Sequence, residues 1–180
     1  GYFQGTATFG STTLTSAGVN EAFVAKLDAS GTYEWAERAG GTGNDNARDV
    51  SVLADGSSIV MGYFEGTATF GSTTFTSAGS RDVFVAKLDA SGDYEWATQA
   101  GGTSNDVGYG VSVLADGSSI VTGRFYGIAT FGSTTLTSAG SYDVFVAKID
   151  SNGSFDSVVI PDDADLIINT QADTTFGGTV

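Results

Sequence analysis

Apolar and polar residues alternate along this chain with the period of two that marks half-buried β-strands. In Val83–Leu88 (VFVAKL), Phe84, Ala86 and Leu88 share one face, while Val83, Val85 and Lys87 share the other. Ser58–Phe64 (SIVMGYF) is β-branched and aromatic, Tyr94–Gln99 (YEWATQ) opens on aromatics, and Val111–Leu114 (VSVL) is a short apolar strand. Asp89-Ala-Ser-Gly92, Gly101-Gly102 and Asp116-Gly117 read as turns between them. The Thr/Ser/Gly stretch Gly66–Gly79 holds a further short hairpin or a long rim loop. No segment keeps a helical 3.6-residue period for three turns.

The pattern recurs. GYFQGTATFGSTTLTSAG begins at Gly1, GYFEGTATFGSTTFTSAG at Gly62 and GRFYGIATFGSTTLTSAG at Gly123, a period of 61 residues. Residues 1–61 and 62–122 differ at 15 positions and match at 46. The third copy follows to about Gly153. Differences cluster at Val19–Ala22 against Ser80–Val83, and at Asn46–Asp49 against Val107–Gly110. Variation at such points marks loop tips or rims. The candidate rim loops are 19–22, 46–49, 80–83, 107–110 and 141–143, carrying Asn20, Glu21, Arg48, Arg81, Asp82, Tyr109 and Tyr142.

Four strands per unit predict an all-β chain of propeller-like blades, with the Thr-rich insertion accounting for a repeat longer than usual. A β-solenoid is the competing architecture. Inner strands are expected at Val50–Leu53 and Val111–Leu114, second strands at Ile59–Phe64 and Ile120–Phe125, third at Phe84–Leu88 and Phe145–Ile149, and outer at Tyr94–Gln99 and Phe155–Ile160. The first copy then starts at its second strand, Tyr2–Phe3, without an inner strand. Residues 1–160 divide into 1–61, 62–122 and 123–160. Residues 161–180 form an acidic tail, either a strand donor or a linker.

The runs GSYDVFVAKIDSNG (140–153), YEWATQAGGTSND (94–106) and VSVLADGSSIVTG (111–123) resemble the bacterial β-propeller repeat family called SBBP. The resemblance covers about residues 1–155. It departs at Ser58 and Ser119, where that family often has Asn, and over the last 25 residues. It implies a propeller in secreted or surface proteins of bacteria, and no enzymatic activity.

Composition narrows the chemistry. The 180 residues include 26 Gly, one Pro, no Cys and no His. That removes thiolates, disulfides, Cys-based zinc sites and the commonest general base. Seven basic residues against 21 acidic ones give −14, which lacks the basic footprint of a nucleic-acid binder. No apolar run reaches the roughly 20 residues of a membrane span, so membrane insertion is not expected. An acidic, Gly/Ser/Thr-rich, Lys-poor composition points to an extracellular or cell-surface location. Gly1 reads as a processed or truncated end.

Asp28-Ala-Ser-Gly31, Asp89-Ala-Ser-Gly92 and Asp150-Ser-Asn-Gly153 could be read as calcium loops, but each is accounted for by a type I turn with a left-handed Gly. Asp45 and Asp106, in Asn-Asp pairs after Gly-Gly, are the better candidate calcium ligands, with amide capping as the plainer role. No other cofactor is expected. Trp35 and Trp96, with Tyr33 and Tyr94, read as packing between blades rather than a sugar platform. Glu34 and Glu95 recur beside aromatics and read as a solvated face, and a carboxylate hydrolase built on them is the weakest reading. The Ser residues have no His partner. Lys26, Lys87 and Lys148 read as an exposed strand face deterring edge pairing. GGTGND (40–45) does not open a helix, so no phosphate loop is indicated.

Three blades are too few to close a ring, and bare sheet edges invite pairing. The expected function is therefore a non-enzymatic structural repeat protein, a homo-oligomer or polymer such as a filament subunit. Leu166, Ile167, Ile168 and Asn169 of the tail would be donated to a neighbour, and Tyr2 and Phe3 would lie at the open edge. The alternative is an adhesion module whose rim loops contact glycan or protein.

Overall fold

The computed structural model describes residues 1–161, and all of its regular structure is β. The blades are offset from the 61-residue copies, and the first blade contains β1 (Tyr2–Phe3), β2 (Thr6–Phe9), β3 (Thr12–Thr15), β4 (Glu21–Leu27) and β5 (Tyr33–Gly41). The second contains β6 (Asn46–Val52), β7 (Ser58–Phe64), β8 (Thr67–Phe70), β9 (Thr73–Thr76), β10 (Asp82–Leu88) and β11 (Tyr94–Gly102). In the third, β12 (Val107–Val113) is followed by the long strands β13 (Ser119–Phe131) and β14 (Thr134–Ile149), then β15 (Phe155–Val159). There the second strand fuses with one arm of the Thr-rich hairpin and the third strand with the other, with a bulge between Tyr126 and Ile128.

Each repeat is an antiparallel meander. β6-β7-β10-β11 and β12-β13-β14-β15 are complete four-stranded blades, and β1-β4-β5 is a three-stranded one. The alternation read from VFVAKL explains the layering. Phe84, Ala86 and Leu88 face the first blade in a cluster with Val60, Phe64 and Phe70. Val83 and Val85 face the third blade in a cluster with Val121, Phe125 and Phe145. The middle blade is thus apolar on both faces, and all seven residues of β7 are buried.

The Thr-rich insertions are hairpins, and they stitch blades together. Ala68 and Thr69 of β8 pair with Gly41 and Gly40 of the preceding blade's β5. Ala129, Thr130 and Phe131 of β13 pair with Gly102, Gly101 and Ala100 of β11. The Gly-Gly pairs therefore extend the outer strands and are not turns, which corrects the sequence reading. The physical reason is close approach: a Cβ on Gly41 would lie 1.8 Å from the Thr67 carbonyl oxygen.

Tryptophan adds a second tie between blades. The Trp35 indole N–H donates to the Ala90 carbonyl and that of Trp96 to the Ser151 carbonyl, each at 3.1 Å. Trp96 lies against Gly153, whose missing side chain leaves room for the ring. Trp96→Ala should cost about 2–3 kcal/mol in urea unfolding, combining lost packing with an orphaned carbonyl, whereas Trp96→Phe should cost about half of that.

A candidate binding face at one end of the blades

The positions at which the copies diverge meet in space. Four sets of equivalent residues are involved: Tyr2/Tyr63/Arg124, Gln4/Glu65/Tyr126, Asn20/Arg81/Tyr142 and Arg48/Tyr109. Tyr63 lies at the end of β7, and Glu65 just beyond it. Asn20 and Arg81 immediately precede β4 and β10. Arg48 and Tyr109 occupy register breaks, between Ala47 and Asp49 in β6 and between Gly108 and Gly110 in β12. A bulge there swings the side chain out of the alternation that would otherwise bury it.

A continuous network results. Gln4 Nε2 donates to Asn20 Oδ1 at 2.7 Å, Asn20 Nδ2 to Asn44 Oδ1 at 3.0 Å, and Asn44 Nδ2 to Glu65 Oε2 at 2.6 Å. Arg81 Nε donates to Glu65 Oε1 at 2.8 Å. From Arg81 the contacts become cation–π. Its guanidinium lies 4.5 Å from the Tyr63 ring centre, and Arg48 lies 5.3 Å from Tyr63 and 6.0 Å from Tyr109. Arg124 lies 5.7 Å from Tyr109 and 4.2 Å from Tyr142, whose ring centre is 5.6 Å from that of Tyr126. Three of the chain's four arginines stand in this row.

Its electrostatics are mixed. Burial pushes the Glu65 carboxyl up, and the Arg81 and Asn44 hydrogen bonds more than reverse this, so it lies below the usual range. The same bond to Glu65 raises Arg81. Among the described residues, Arg48 and Arg124 have no carboxylate ion-pair partner, and Arg124 Nε is buried without a hydrogen-bond acceptor.

Buried carboxylates support the face from below. Asp45 accepts hydrogen bonds from the Gly41 amide at 2.7 Å and the Glu65 amide at 3.2 Å. Asp106 accepts from the Gly102 and Tyr126 amides at the same two distances. Each thus ties the outer-strand glycine to a residue of the network. Asp82 takes the Ala78 amide at 3.0 Å, and its Oδ1 is buried with no partner. Burial raises the carboxyls of Asp45 and Asp82 to about 6, and raises Asp106. Both oxygens of Asp45 and of Asp106 serve amides, and among the described residues no cluster of three or more carboxylates is poised for a metal ion.

Five residues expected on the rims, Asn20, Arg48, Arg81, Tyr109 and Tyr142, join the network. Glu21 and Asp82 do not. They are buried at the starts of β4 and β10, because a carboxylate there satisfies the amide four residues earlier, and Glu21 also pairs with Arg38. Tyr2 and Phe3 form β1, the terminal strand of its sheet, as expected of an open edge; Tyr2 is half-exposed, whereas the Phe3 side chain is buried against Phe9 and Phe23. Leu166, Ile167, Ile168 and Asn169 lie outside the described residues. Glu34 and Glu95 pair with Lys26 and Lys87 at 2.8 Å. Asp28 accepts from Ser30 and Thr32 within its turn, and the Ser30 hydroxyl bond holds its carboxyl low. Sequence reasoning missed Gln4, Tyr63, Glu65, Arg124 and Tyr126, and singled out Asn44 only with Asp45 as a candidate calcium or capping pair. The same copy-to-copy comparison marks Tyr63/Arg124 and Gln4/Glu65/Tyr126.

A second feature lies at the inner side of the first blade, where the other two blades carry β6 and β12. A groove of about 580 Å³ is lined there by Phe23, Val24, Leu27, Val52 and Val60, and it meets the arginine–tyrosine row at Arg48. β1 covers β4 only at Glu21 and Ala22.

A family model described as "Domain of unknown function (DUF5122) beta-propeller" matches residues 128–157, which hold the end of β13, all of β14 and the start of β15. The chain is built of β-propeller-type repeats. It is also similar to "Regulatory protein FlaEY" of Caulobacter vibrioides (strain ATCC 19089 / CIP 103742 / CB 15), at 26% identity over 141 residues. That alignment covers 76% of this chain and 15% of the relative, so the propeller-type repeats correspond to a small part of that protein.

Proposed function

We propose that this chain is a non-enzymatic, extracellular or cell-surface module of SBBP-type propeller repeats that binds a glycan or protein partner through the arginine–tyrosine face. One observation carries the reading. The buried cores and inter-blade ties repeat from copy to copy, whereas the divergent positions 63, 65, 81, 48, 109, 124, 126 and 142 converge on one surface. A scaffold held constant beneath a varied surface is the arrangement of a recognition module. Arg and Tyr are also the residue types that dominate binding hot spots. The test is a glycan and protein array probed with the wild type and an Arg48→Ala/Tyr109→Ala variant. Signal that disappears in a variant of unchanged melting temperature supports the reading; signal indifferent to the variant overturns it.

The groove favours a second reading, self-association through the uncovered part of β4, with residues 166–169 of a neighbouring chain as the added strand. Removing 161–180 should then reduce the mass measured by light scattering, and an unchanged mass refutes it.

A further inference from the structure

We propose that the ligand of the arginine–tyrosine face is an anionic polysaccharide, recognised by its carboxylate or sulfate groups along a row of guanidinia. This rests on the binding-module reading and names the ligand class for that face.

Three observations lead to it. First, charge is distributed unevenly. The chain carries −14, yet the row itself holds Arg48, Arg81 and Arg124 with one carboxylate among its members, Glu65, which is committed to Arg81; Asp45, Asp82 and Asp106 beneath it and Asp143 beside Tyr142 are each engaged by backbone amides. Arg48 and Arg124 are left to their tyrosines. A planar fork of donors without a carboxylate is matched by an oxyanion.

Second, the tyrosines are open to solvent. Tyr109, Tyr126 and Tyr142 are each more than 40% exposed. The C–H face of a pyranose ring is apolar and slightly positive, and it packs on the electron-rich face or edge of an aromatic ring. A phenol and a guanidinium alternating at 4–6 Å therefore offer stacking and charge recognition in turn.

Third, the surface offers side chains and not backbone. Arg48 and Tyr109 sit at bulges, and Tyr63 and Glu65 at a strand end. The uncovered strand edge of β4 belongs to the groove. Beyond Arg48, where the row meets that groove, an acidic peptide would have no backbone row to pair with, whereas a polysaccharide is recognised through its ring faces and charged groups. The row also continues from one repeat into the next, so a ligand with repeating charge meets successive arginines.

The experiment is calorimetric titration of the whole chain with hexagalacturonate, digalacturonate and dextran sulfate. Fully methyl-esterified hexagalacturonate and poly-glutamate are the controls. We expect the hexamer to bind at least tenfold more tightly than the dimer, and to weaken at least tenfold between 50 and 500 mM NaCl. Arg48→Ala and, separately, the exposed Tyr109→Ala should each weaken it at least tenfold. Binding of dextran sulfate in place of, or as well as, hexagalacturonate supports the proposal and fixes which anion is read. Equal binding of the esterified hexamer, or tighter binding of poly-glutamate, overturns the ligand class. If a neutral glycan or a protein from the array binds in an Arg48-dependent way while every anionic polysaccharide fails, the ligand class falls and the binding-module reading stands. If binding is present but indifferent to both variants, the two fall together.

Discussion

Gly102→Val should unfold most of the chain under conditions in which the wild type is folded. A Cβ at this position would lie 1.8 Å from the Ile128 carbonyl oxygen, inside the strand pairing that joins the second blade to the third. The obstacle is backbone, which cannot rotate away. Relief requires separating β11 from β13, which loses the Gly101–Thr130 and Gly102–Ala129 pairing and loosens the shared cluster around Val85, Phe125 and Phe131. The expected loss is about 3 kcal/mol or more, read as a large fall in urea midpoint. Gly140→Ala is the control. Nothing lies within 4 Å of its Cβ, and its φ is one that any residue adopts, so it should stay within about 0.5 kcal/mol of wild type. Equal stability of the two variants would mean that the hairpins do not stitch the blades.

The second large effect is with pH. Burial raises the carboxyls of Asp45 and Asp82 from 3.8 to about 6 in the folded chain. Between these values the native state holds protons that the unfolded state has released. The stabilisation is therefore complete below pH 3.8 and is lost as pH climbs through about 6. Allowing for solvent screening, each group should contribute about 2 kcal/mol. Exposed Asp28, Asp55 and Asp116, held low chiefly by serine hydroxyls, act in the opposite sense below about 3.8. Stability should thus peak near pH 4–5 and fall toward pH 7.5. General repulsion at −14 has the same sign, so Asp82→Asn separates the two. It keeps an oxygen for the Ala78 amide, should raise the thermal midpoint at pH 7.5, and should flatten the profile. A wild type more stable at pH 7.5 than at 4.5 would contradict this account of the buried carboxylates.

The blades were legible because one signal, alternation in a 61-residue period, decides which faces are apolar. VFVAKL assigned Phe84 and Val83 to opposite faces, and both turned out buried because a blade lies on either side. Gly101-Gly102 was misread because glycine marks turning and close approach alike, and only the partner strand distinguishes them. Asn46–Asp49 looked like a loop because it varies. It is the start of a strand in which a single bulge frees Arg48 while Asn46 and Ala47 stay buried. Asp82 shared that variable neighbourhood, but a lone carboxylate in sequence does not reveal the amide it will cap. Arg48, Arg81, Tyr109 and Tyr142 were expected on rims, but Tyr63 and Arg124 between them escaped notice because the rows Arg81–Tyr63–Arg48 and Tyr109–Arg124–Tyr142 form only when neighbouring copies stack.

The binding face is tested most directly by backbone amide shifts of the labelled 18.3 kDa chain during titration with the best array ligand. The expected result is saturable shifts at Arg48, Tyr63, Arg81, Tyr109, Arg124 and Tyr142. Shifts confined to the groove at Val24, Arg48, Val52 and Val60, with Tyr63, Arg81, Tyr109, Arg124 and Tyr142 silent, would contradict it.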